Sequence, residues 1–438
     1  MIDAAIFDRC VSCGLCLPAC PTYQETMTET LGPRGRISLI KAMALGELEP
    51  DSPGFQATIG GCLGCRACEA ACPSGVAYGE LLEQARERIE HAVVPSRSLP
   101  KRMIRTLLLR DIFAHPWMLR ASAAIARFGQ RLGLDRLLVL TGVARLLGLE
   151  RAIALAPRFD GTSFVAKGQR FAAHRVSKTV ALHVGCIASV AFAKLHEATI
   201  RVLNHAHCTV VVPAGQGCCG AIAAHAGERT DARERAKAVI AAFESSGASI
   251  YVTNVAGCGA ALKEYGTWFA HDAEWSERAR TFSAAVRDIT ELLDEQFAAS
   301  PPKLGPLKCS VAYQDPCHLA HAQRITAAPR RLLEMIPAMT LVPLRESSLC
   351  CGGAGVYNLT QPDMSDRLRA RKIETIIESG AQVLATANPG CAIQIEAGLR
   401  ERTLRLPVMH VVELLDEAFS AYDASTRSRP ASASAMVR

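Results

Sequence analysis

Short apolar runs alternate with longer amphipathic stretches over residues 179–420. The runs are rich in Val, Ile, Leu and Ala and are five to eight residues long, which predicts strands. The stretches between them have the spacing of helices. Strands that alternate with helices form parallel sheets, so the pattern predicts an α/β fold for this region.

The same pattern occurs twice. "TVALHVGC", "TVVVPAGQGCCG" and "NVAGCGA" are followed by "CSVAYQDPC", "TLVPLRESSLCCG" and "ANPGCA", and each half ends alike, in "DITELLDEQF" and "HVVELLDEAF". The matched cysteines are offset by 131 to 133 residues. The region is therefore predicted to be an internal duplication, with domains at 179–300 and 301–420. Because the cysteine groups follow predicted strands, we expect them at the carboxyl edge of each sheet, where ligands bind, as two similar pockets or two halves of one.

The remaining chain divides into three segments by composition. Residues 1–92 contain eight cysteines and short helical pieces, and residues 93–178 contain no cysteine and predict a helical connector rich in Leu, Ala and Arg. Residues 421–438 are mostly small or polar, and we expect a disordered tail. The predicted fold class is a multidomain α+β and α/β chain: a helical two-cluster ferredoxin-like domain, a helical connector and a duplicated α/β domain.

Charge and the absence of targeting signals indicate where the protein is located and what its cysteines bind. The 438-residue chain has a net charge of +7, and residues 101–151 alone hold ten Lys or Arg against three acidic residues. The N-terminus "MIDAAIFDRC" lacks the pattern of a signal peptide, and no run of apolar residues is long enough for a membrane span. We expect a cytoplasmic location, where thiols stay reduced, so the eighteen cysteines indicate metal binding rather than disulfides.

The first eight cysteines have the spacing of a two-cluster ferredoxin. "CVSCGLCLPACP" and "CLGCRACEAACP" are both C-x2-C-x2-C-x3-C-P, in which the fourth cysteine ligates the other cluster. We assign one 4Fe–4S cluster to Cys10, Cys13, Cys16 and Cys72 and the second to Cys20, Cys62, Cys65 and Cys68. Zinc also uses C-x2-C, but zinc sites take such cysteines in pairs and do not explain triplets followed by C-P.

The chain lacks the usual signs of a cofactor other than iron–sulfur. It contains no G-x-G-x-x-G fingerprint and no Walker loop, so no nicotinamide, flavin or nucleotide site is predicted. Two clusters without nearby substrate machinery are typical of electron transfer. We expect no catalytic residues on this chain and expect electrons to arrive from another protein.

The duplicated region resembles the cysteine-rich CCG domain of heterodisulfide reductases and of several flavoprotein-linked iron–sulfur subunits. The resemblance makes eight further cysteines candidate metal ligands: Cys186, Cys218, Cys219, Cys258, Cys317, Cys350, Cys351 and Cys391. In the fullest form of that domain the last element is C-x-x-C, but here Ala261 and Gln394 stand at the second position. At least one further iron–sulfur cluster is favoured. A centre shared by the halves, zinc, a redox thiol pair and a purely structural role stay open.

Several other residues near these groups have two interpretations. Cys208 and Cys309 begin strands and are predicted to be core residues. Four histidines lie near the cysteine groups and either contact sulfur or metal or are ordinary packed or solvated residues: His183, His225, His318 and His321. Arg34 and Arg36, in "GPRGR", lie either near a cluster or partner or in a solvated turn.

The whole chain, from about residue 8 to 418, resembles the iron–sulfur subunit of bacterial glycolate oxidase (glycolate dehydrogenase). The matching segments are "CPTYQ", "LGPRGRISLIK", "CLGCRACEAACPSGVAYGELL", "GCCGA", "GCGAALKEYG", "LAHAQ" and "LCCGGAGVYNLTQPDM". The resemblance implies partner subunits that carry FAD and oxidise glycolate to glyoxylate. It also implies that this chain passes electrons to a membrane acceptor such as quinone and oxidises no substrate alone. The alternatives are an iron–sulfur subunit of a lactate or glycerol-3-phosphate dehydrogenase, or a heterodisulfide-reductase-like enzyme.

The basic segment 101–151 suits docking to an acidic partner or to anionic lipid on the inner face of the bacterial cytoplasmic membrane. Its predicted apolar face comprises Leu107, Leu108, Leu109, Ile112, Phe113, Trp117 and Met118. The alternative is a connector that packs on its own core and keeps a solvated basic face. No nucleic-acid partner is expected.

Overall fold

The N-terminal part of the chain is an all-helical module. The structure, a computed structural model, describes residues 2–159 and 162–427. The helices of the module are Ala4–Phe7, Pro21–Thr26, Pro33–Ala44, Pro53–Gly60, Ala67–Ala70 and Tyr78–Val93, with a 3-10 turn at Glu29–Leu31. A proline begins three of them, where its missing N–H costs nothing. Ile40, Ile59 and Leu81 are fully buried in the core of the module.

A helical linker follows, as the sequence predicts. It contains a 3-10 turn at Val94–Ser96, the helix Leu99–Thr106, a π-helical turn at Leu107–Ile112, and the helices Pro116–Arg131, Leu134–Leu140, Val143–Leu146 and Glu150–Leu155. Leu119 and Ala123 pack on Val190 of the first cysteine-rich half. The linker is therefore anchored to that half by one face of its longest helix.

The first half is built on a five-stranded sheet. Its strands are β1 (Gln169–Phe171), β2 (Lys178–His183), β3 (Cys208–Val212), β4 (Ile250–Thr253) and β5 (Val286–Asp288), in the order β1-β3-β2-β4-β5. Its helices are Ile187–Ala191, Ala193–His205, Ala221–His225, Arg229–Glu244, Ala256–Lys263, Tyr265–Trp268, Ser276–Ala285 and Ile289–Ala299. All pairings are parallel except that of β1, which runs antiparallel to β3.

The strand β1 corrects one predicted boundary. We predicted that the connector extends to residue 178, but β1 lies inside it and pairs Gln169 with Val212. A three-residue strand is too short to show a hydrophobic period, so the sequence gives no signal for it. The sheet of the first half therefore begins about ten residues earlier than expected.

The second half repeats the parallel part of this topology. Its strands are β6 (Cys309–Gln314), β7 (Met339–Val342), β8 (Val383–Thr386) and β9 (Val408–His410), in the order β7-β6-β8-β9. Its helical segments are a π-helical turn at His318–Ala322 and the helices Ala327–Glu334, Tyr357–Thr360, Pro362–Glu378, Pro389–Glu401 and Val411–Arg427. The order matches β3-β2-β4-β5, so the α/β prediction for the duplicated region is confirmed.

The two halves share one hydrophobic core. Leu182 and Val252 of the first sheet belong to the same buried cluster as Val311 and Ala385 of the second. Cys208 is fully buried in this cluster, and Cys309 packs against it, as expected of core residues. The shared core holds the carboxyl edges of the two sheets in a fixed relation.

The last described helix corrects the expected tail. The helix Val411–Arg427 includes residues 421–427, which we predicted to be disordered. Ala418 accepts a backbone hydrogen bond from Gly305, and Phe419 stacks on His205, so the helix is held in place up to the predicted boundary and continues past it. Residues 428–438 lie outside the described residues. Within the described part of the chain, no helix combines the length and the apolar character needed to cross a membrane.

Candidate metal centres

The first predicted cluster site lies near the surface of the helical module. Cys10, Cys13, Cys16 and Cys72 line one cavity of about 30 Å³. Cys13 is exposed and the other three are half-buried. Burial raises the pKa of Cys16, and the neighbouring cysteines raise it further through like charge. The structure thus brings together the four thiols that the spacing assigned to one cluster.

The second predicted site is interior. Cys20, Cys62, Cys65 and Cys68 are all buried and line a cavity of about 20 Å³. Burial raises the pKa of the Cys68 thiol well above its usual range, with like charge from the other three adding to the effect. Four thiols at this spacing are the donor set of an iron–sulfur cluster, and the iron of a bound cluster would offset the negative charge of the crowded thiolates.

Arg36 is the buried cation of this second site. Its side chain is 1% exposed; Nε donates to the Thr58 carbonyl at 3.0 Å and Nη1 to Thr22 Oγ1 at 3.2 Å. Nη1 also lies 3.9 Å from Cys20 Sγ, and Nη2 has no hydrogen-bond partner among the described residues. Arg34, by contrast, is half-exposed and pairs with Glu29. Both arginines of "GPRGR" therefore lie at cysteine sites. Arg36 lies at the second site, and Arg34 lines the cavity of the first and donates to the Ser12 carbonyl at 3.0 Å.

The cysteines of the first half gather at the carboxyl edge of its sheet. Cys186 follows β2, Cys218 and Cys219 follow β3, and Cys258 follows β4. The thiols form a chain of hydrogen bonds in which Cys218 contacts Cys186 and Cys219, and Cys219 contacts Cys258. This bond with Cys219 lowers the pKa of Cys258 to about 6.

The second half repeats the arrangement behind β6, β7 and β8. Cys350 contacts Cys317 and Cys351, and Cys351 contacts Cys391. Lys372, 1% exposed, lies behind this group, and its Nζ donates to the carbonyl of Ser347 at 3.3 Å. Burial lowers the pKa of Lys372, whereas the charges of Cys351 and Cys350 raise it. A buried amine at this position offsets the negative charge of the thiolates.

The glycine after each cysteine pair is required by the backbone. Gly220 has φ +81° and Gly352 has φ +83°, in the left-handed region. A Cβ on Gly220 would lie 2.9 Å from the Ala232 carbonyl oxygen, and one on Gly352 would lie 2.6 Å from the Ser365 carbonyl oxygen. Each glycine lets the chain turn sharply against a helix, which leaves both preceding thiols in the site.

Three of the four cysteine groups adjoin one another directly. Cys68 lines both cavities of the helical module, so the first two groups adjoin. Cys65 is close enough to Cys317 for like charge to raise the pKa of Cys65, after burial, and both belong to one packed cluster with Cys350. The row thus runs from the exposed Cys13 through the interior of the module into the second half.

Asn388 joins the second half to the first. Its Nδ2 donates to Cys391 Sγ at 3.3 Å, and its Oδ1 accepts from the Gly257 N–H at 3.4 Å. Gly257 is the residue before Cys258. One amide side chain therefore contacts a cysteine of one group and the backbone beside a cysteine of the other.

The four histidines near the cysteines differ in their surroundings. His225 contacts Glu83 at 3.1 Å, His318 contacts the Gly64 carbonyl at 3.0 Å, and His321 contacts the Ser348 carbonyl at 3.2 Å. All three make ordinary hydrogen bonds: His225 and His318 join the halves to the module, and the contact of His321 lies within the second half. His183 instead lies fully buried among the cysteines of the first half, where its ring and the sulfurs of Cys219 and Cys258 place their ligand atoms within 4.8 Å of one another.

A cavity of about 530 Å³ opens beside the first half's cysteines. Cys186 and Cys218 lie on one side of it, and the linker residues Phe113, Leu119 and Arg120 lie on the other. Its volume is within the range of small-molecule sites. The cavity therefore adjoins the cysteine group of the first half, which Asn388 links to the group of the second half.

Three polar residues of the sites were missed from the sequence. Asn388 had a weak signal, since it precedes "PGC" at a strand end. Lys372 and Arg86, which donates to the Cys62 carbonyl at 2.6 Å, lie on helices far from any cysteine in the sequence, so no spacing marks them. Of the predicted apolar face of the linker, Leu109 is buried and Trp117 is exposed, and the side chain of Leu108 lies outside the described residues.

Family models match most of these regions. The model described as "4Fe-4S dicluster domain" matches residues 6–76, and the one described as "Cysteine-rich domain" matches residues 180–263 and 311–396. A third, described as "Glycolate oxidase iron-sulfur subunit, linker region", matches residues 100–154. The matches cover the helical module, the linker and both halves.

Relatives of known name are similar to this chain over most of its length. A probable glycolate oxidase iron–sulfur subunit of Bacillus subtilis (strain 168) is 36% identical over 94% of this chain and 93% of its own. The glycolate oxidase iron–sulfur subunit of Escherichia coli (strain K12) is 32% identical over 94% of each. Lactate utilization protein A of Exiguobacterium sp. is 30% identical over 54% of this chain and 97% of its own.

Proposed function

Since this chain belongs to the family of glycolate oxidase iron–sulfur subunits, we propose that it carries electrons within an oxidoreductase complex. The electrons come from FAD-bearing partner subunits, which oxidise glycolate to glyoxylate, and leave to a membrane acceptor such as quinone. The observation that supports this most directly is the succession of four cysteine groups from Cys13 to Cys186, of which three adjoin and the fourth is linked through Asn388. A row of one-electron centres divides the two-electron oxidation of a hydroxy acid into single steps.

The proposed ligands follow the sequence assignment. Two 4Fe–4S clusters are held by Cys10, Cys13, Cys16 and Cys72 and by Cys20, Cys62, Cys65 and Cys68, and at least one further iron–sulfur centre is held by the cysteines of the two halves. When bound, such clusters accept and release one electron at a time. The chain's own residues fix the thiols in place, exclude water from the interior sites and offset negative charge through Arg36 and Lys372.

The donor end is the exposed first site. Cys13 is solvent-exposed, and Val11 and Leu15 beside it are 71% and 60% exposed. Exposed apolar side chains next to a metal ligand form a surface on which a partner can dock closely enough for electron transfer. We place the contact with the flavin subunits here.

The acceptor end is the cavity beside Cys186 and Cys218. Phe113, Leu119 and Phe164 give it apolar walls. Arg120, also on the wall, has no ion pair or hydrogen bond within the described residues, so its guanidinium is available to a ligand. A quinone head group fits such a cavity, because its apolar ring can pack on these walls and a carbonyl oxygen can accept a hydrogen bond from Arg120.

The linker brings this end to the membrane surface. Within the part of the chain that the structure describes, fifteen exposed large apolar side chains lie between Leu99 and Leu149, among them Leu140 at 84% and Leu146 at 85% exposure. Among its described basic side chains, Arg105, Arg110, Arg145 and Arg151 form ion pairs. Arg102, Arg131 and Arg136 are exposed, and apolar side chains that alternate with them suit a peripheral contact with anionic lipid on the cytoplasmic face.

The heterodisulfide-reductase-like alternative finds no support in the sites. Gln394, at the position of the missing cysteine, is fully buried and bonded to Ser365 Oγ at 3.0 Å and to Asn358 Nδ2 at 3.1 Å. Ala261 is packed in the core of the first half. A lactate-specific subunit is less favoured, because the lactate utilization relatives match only 54% of this chain.

The test is reconstitution with and without partners. The purified, anaerobically reconstituted chain alone should not reduce a dye in the presence of glycolate, and activity should appear when FAD-bearing subunits are added. Lactate and glycerol 3-phosphate serve as substrate controls. Oxidation of glycolate, or reduction of a heterodisulfide, by the isolated chain would contradict the proposal.

A further inference from the structure

The two cysteine-rich halves differ at one position that faces the thiols. His183 ends β2 in the first half, and Gln314 ends β6 at the equivalent place in the second. Gln314 is fully satisfied within the protein: its Nε2 donates to the Asp315 carbonyl at 2.6 Å and its Oε1 accepts from Thr386 Oγ1 at 2.8 Å. The second group therefore has no side chain at this position that is free to contact a metal.

His183 has an unused nitrogen instead. The side chain is fully buried, and its Nδ1 lies 2.9 Å from the Tyr251 hydroxyl, which fixes the ring. Nε2 has no nitrogen or oxygen partner among the described residues, and the ring contacts the thiol of Cys258. Since Nδ1 is engaged, Nε2 is the nitrogen available to the sulfurs of Cys219 and Cys258, which lie within 4.8 Å of a ring nitrogen and of each other.

This geometry is that of a metal ligand with its supporting contact. A buried polar nitrogen without a partner is costly unless something binds it. Histidine ligands are typically oriented by a hydrogen bond at the other ring nitrogen, which here is the Tyr251 contact. Three ligand atoms less than 5 Å apart can bind one ion without rearrangement of the backbone.

We propose that His183 Nε2 is a ligand of the iron–sulfur centre held by Cys186, Cys218, Cys219 and Cys258. The first centre is then bound by thiolates and an imidazole, and the second by thiolates alone. The inference rests on the proposed function, because it requires an iron–sulfur centre in the first half. Because both halves supply four thiolates, the imidazole is an additional ligand, and its nitrogen distinguishes the first centre from the second.

The test is nitrogen hyperfine spectroscopy on the intact, cluster-loaded chain. The parent should show a strong coupling from a ligated imidazole nitrogen, and the pattern should change when the protein is labelled with ¹⁵N-histidine. The coupling should disappear in His183→Gln, which reproduces the residue of the second half, and the midpoint potential of that centre should shift. His196→Gln is the matched control, since His196 is equally buried but contacts Asn254 rather than sulfur, and it should keep the coupling.

The outcomes separate this inference from the proposed function. Absence of imidazole coupling in the labelled parent, or its persistence in His183→Gln, would overturn the role of His183 even where the centre is intact. Because the labelling experiment needs no variant, a folding defect in His183→Gln does not leave the question open. An unchanged iron content in Cys218→Ala would show instead that the first half holds no iron–sulfur centre, and both proposals for that half would then fail.

Discussion

At the scale of single residues, buried cations keep the interior cysteine groups stable. Arg36 lies against Cys20, and Lys372 lies behind Cys350 and Cys351. Both side chains are 1% exposed. A buried charge persists only when opposite charge or hydrogen bonds compensate it, and here the thiolates and backbone carbonyls do so.

Replacing Arg36 should damage the second cluster site selectively. Arg36→Leu leaves the Thr58 carbonyl and Thr22 without their donor and removes the buried charge. We expect a loss on the order of 3 kcal/mol in the free energy of unfolding and about four fewer irons per chain. Urea denaturation and iron analysis measure both. Arg88→Leu, at an exposed position on the last helix of the module, is the control and should change little; equal effects of the two substitutions would contradict the assignment.

The sequence predicted most of the ligand candidates at this scale but few of their supports. Cysteines are found by their spacing, because the thiols of one cluster must converge, and the structure brings each predicted group together. Asn388, Lys372 and Arg86 contact the groups through the tertiary fold, so no local pattern reveals them. His183 was noticed only as a neighbour of a cysteine, since its orphaned nitrogen is visible only in three dimensions.

At the scale of elements, the last strand of each half ends in a residue that caps the helix after it. Asp288 ends β5 and its Oδ1 accepts from the Thr290 N–H at 2.8 Å, while Glu291 completes a capping box. His410 ends β9 and its Nδ1 accepts from the Val412 N–H at 3.1 Å. The duplication thus preserved the cap while its side chain changed from a carboxylate to an imidazole.

The Asp288 cap should make stability depend on pH. Burial raises the pKa of Asp288 to about 6 from 3.8, against the opposing hydrogen bonds of Thr290, and its Oδ2 has no hydrogen-bond partner among the described residues. Because the folded pKa lies above the unfolded one, this group's contribution to stability is full below about pH 4 and is lost as the pH rises through 6. Asp288→Asn keeps the cap without the charge, so its advantage over the parent should grow by about 1 kcal/mol between pH 5 and pH 8.

Urea denaturation at the two pH values measures this difference. Glu295→Gln, an exposed acidic residue of the same helix, is the control and should show no such growth. A constant difference between parent and Asp288→Asn across this range would contradict the raised pKa.

The elements that were predicted correctly carry a strong period. The parallel strands and their order repeat in both halves because alternating apolar runs specify them twice. The strand β1 and the end of the last helix were missed for a common reason. Each depends on packing against distant residues, Val212 for β1 and the Gly305 region for the helix, and not on local composition.

At the scale of the whole molecule, the linker exposes many large apolar side chains, which suit a binding surface. We expect the chain to bind vesicles that contain phosphatidylglycerol and to bind phosphatidylcholine vesicles weakly. Leu140→Glu and Leu146→Glu should each weaken binding about tenfold, because each removes an apolar side chain from the contact. Vesicle sedimentation measures this, with Leu359→Glu, an exposed leucine outside the linker, as the control.

Other results would assign the linker differently. Binding that is equal for both lipids, or that the Leu140 and Leu146 substitutions leave unchanged, would contradict membrane contact. If those substitutions instead prevented assembly with the flavin subunits, the surface would be a protein interface.

The measurement that tests the account most directly is metal analysis of the anaerobically prepared chain, read with electron paramagnetic resonance after reduction. The account predicts more than about eight irons per chain, from two 4Fe–4S clusters and at least one further centre. It also predicts that Cys218→Ala and Cys351→Ala lose iron while the signals of the first two clusters stay intact. A chain that holds zinc and no iron would contradict the account. So would an iron content that neither substitution lowers, together with two thiols per cysteine pair that mild reductant frees.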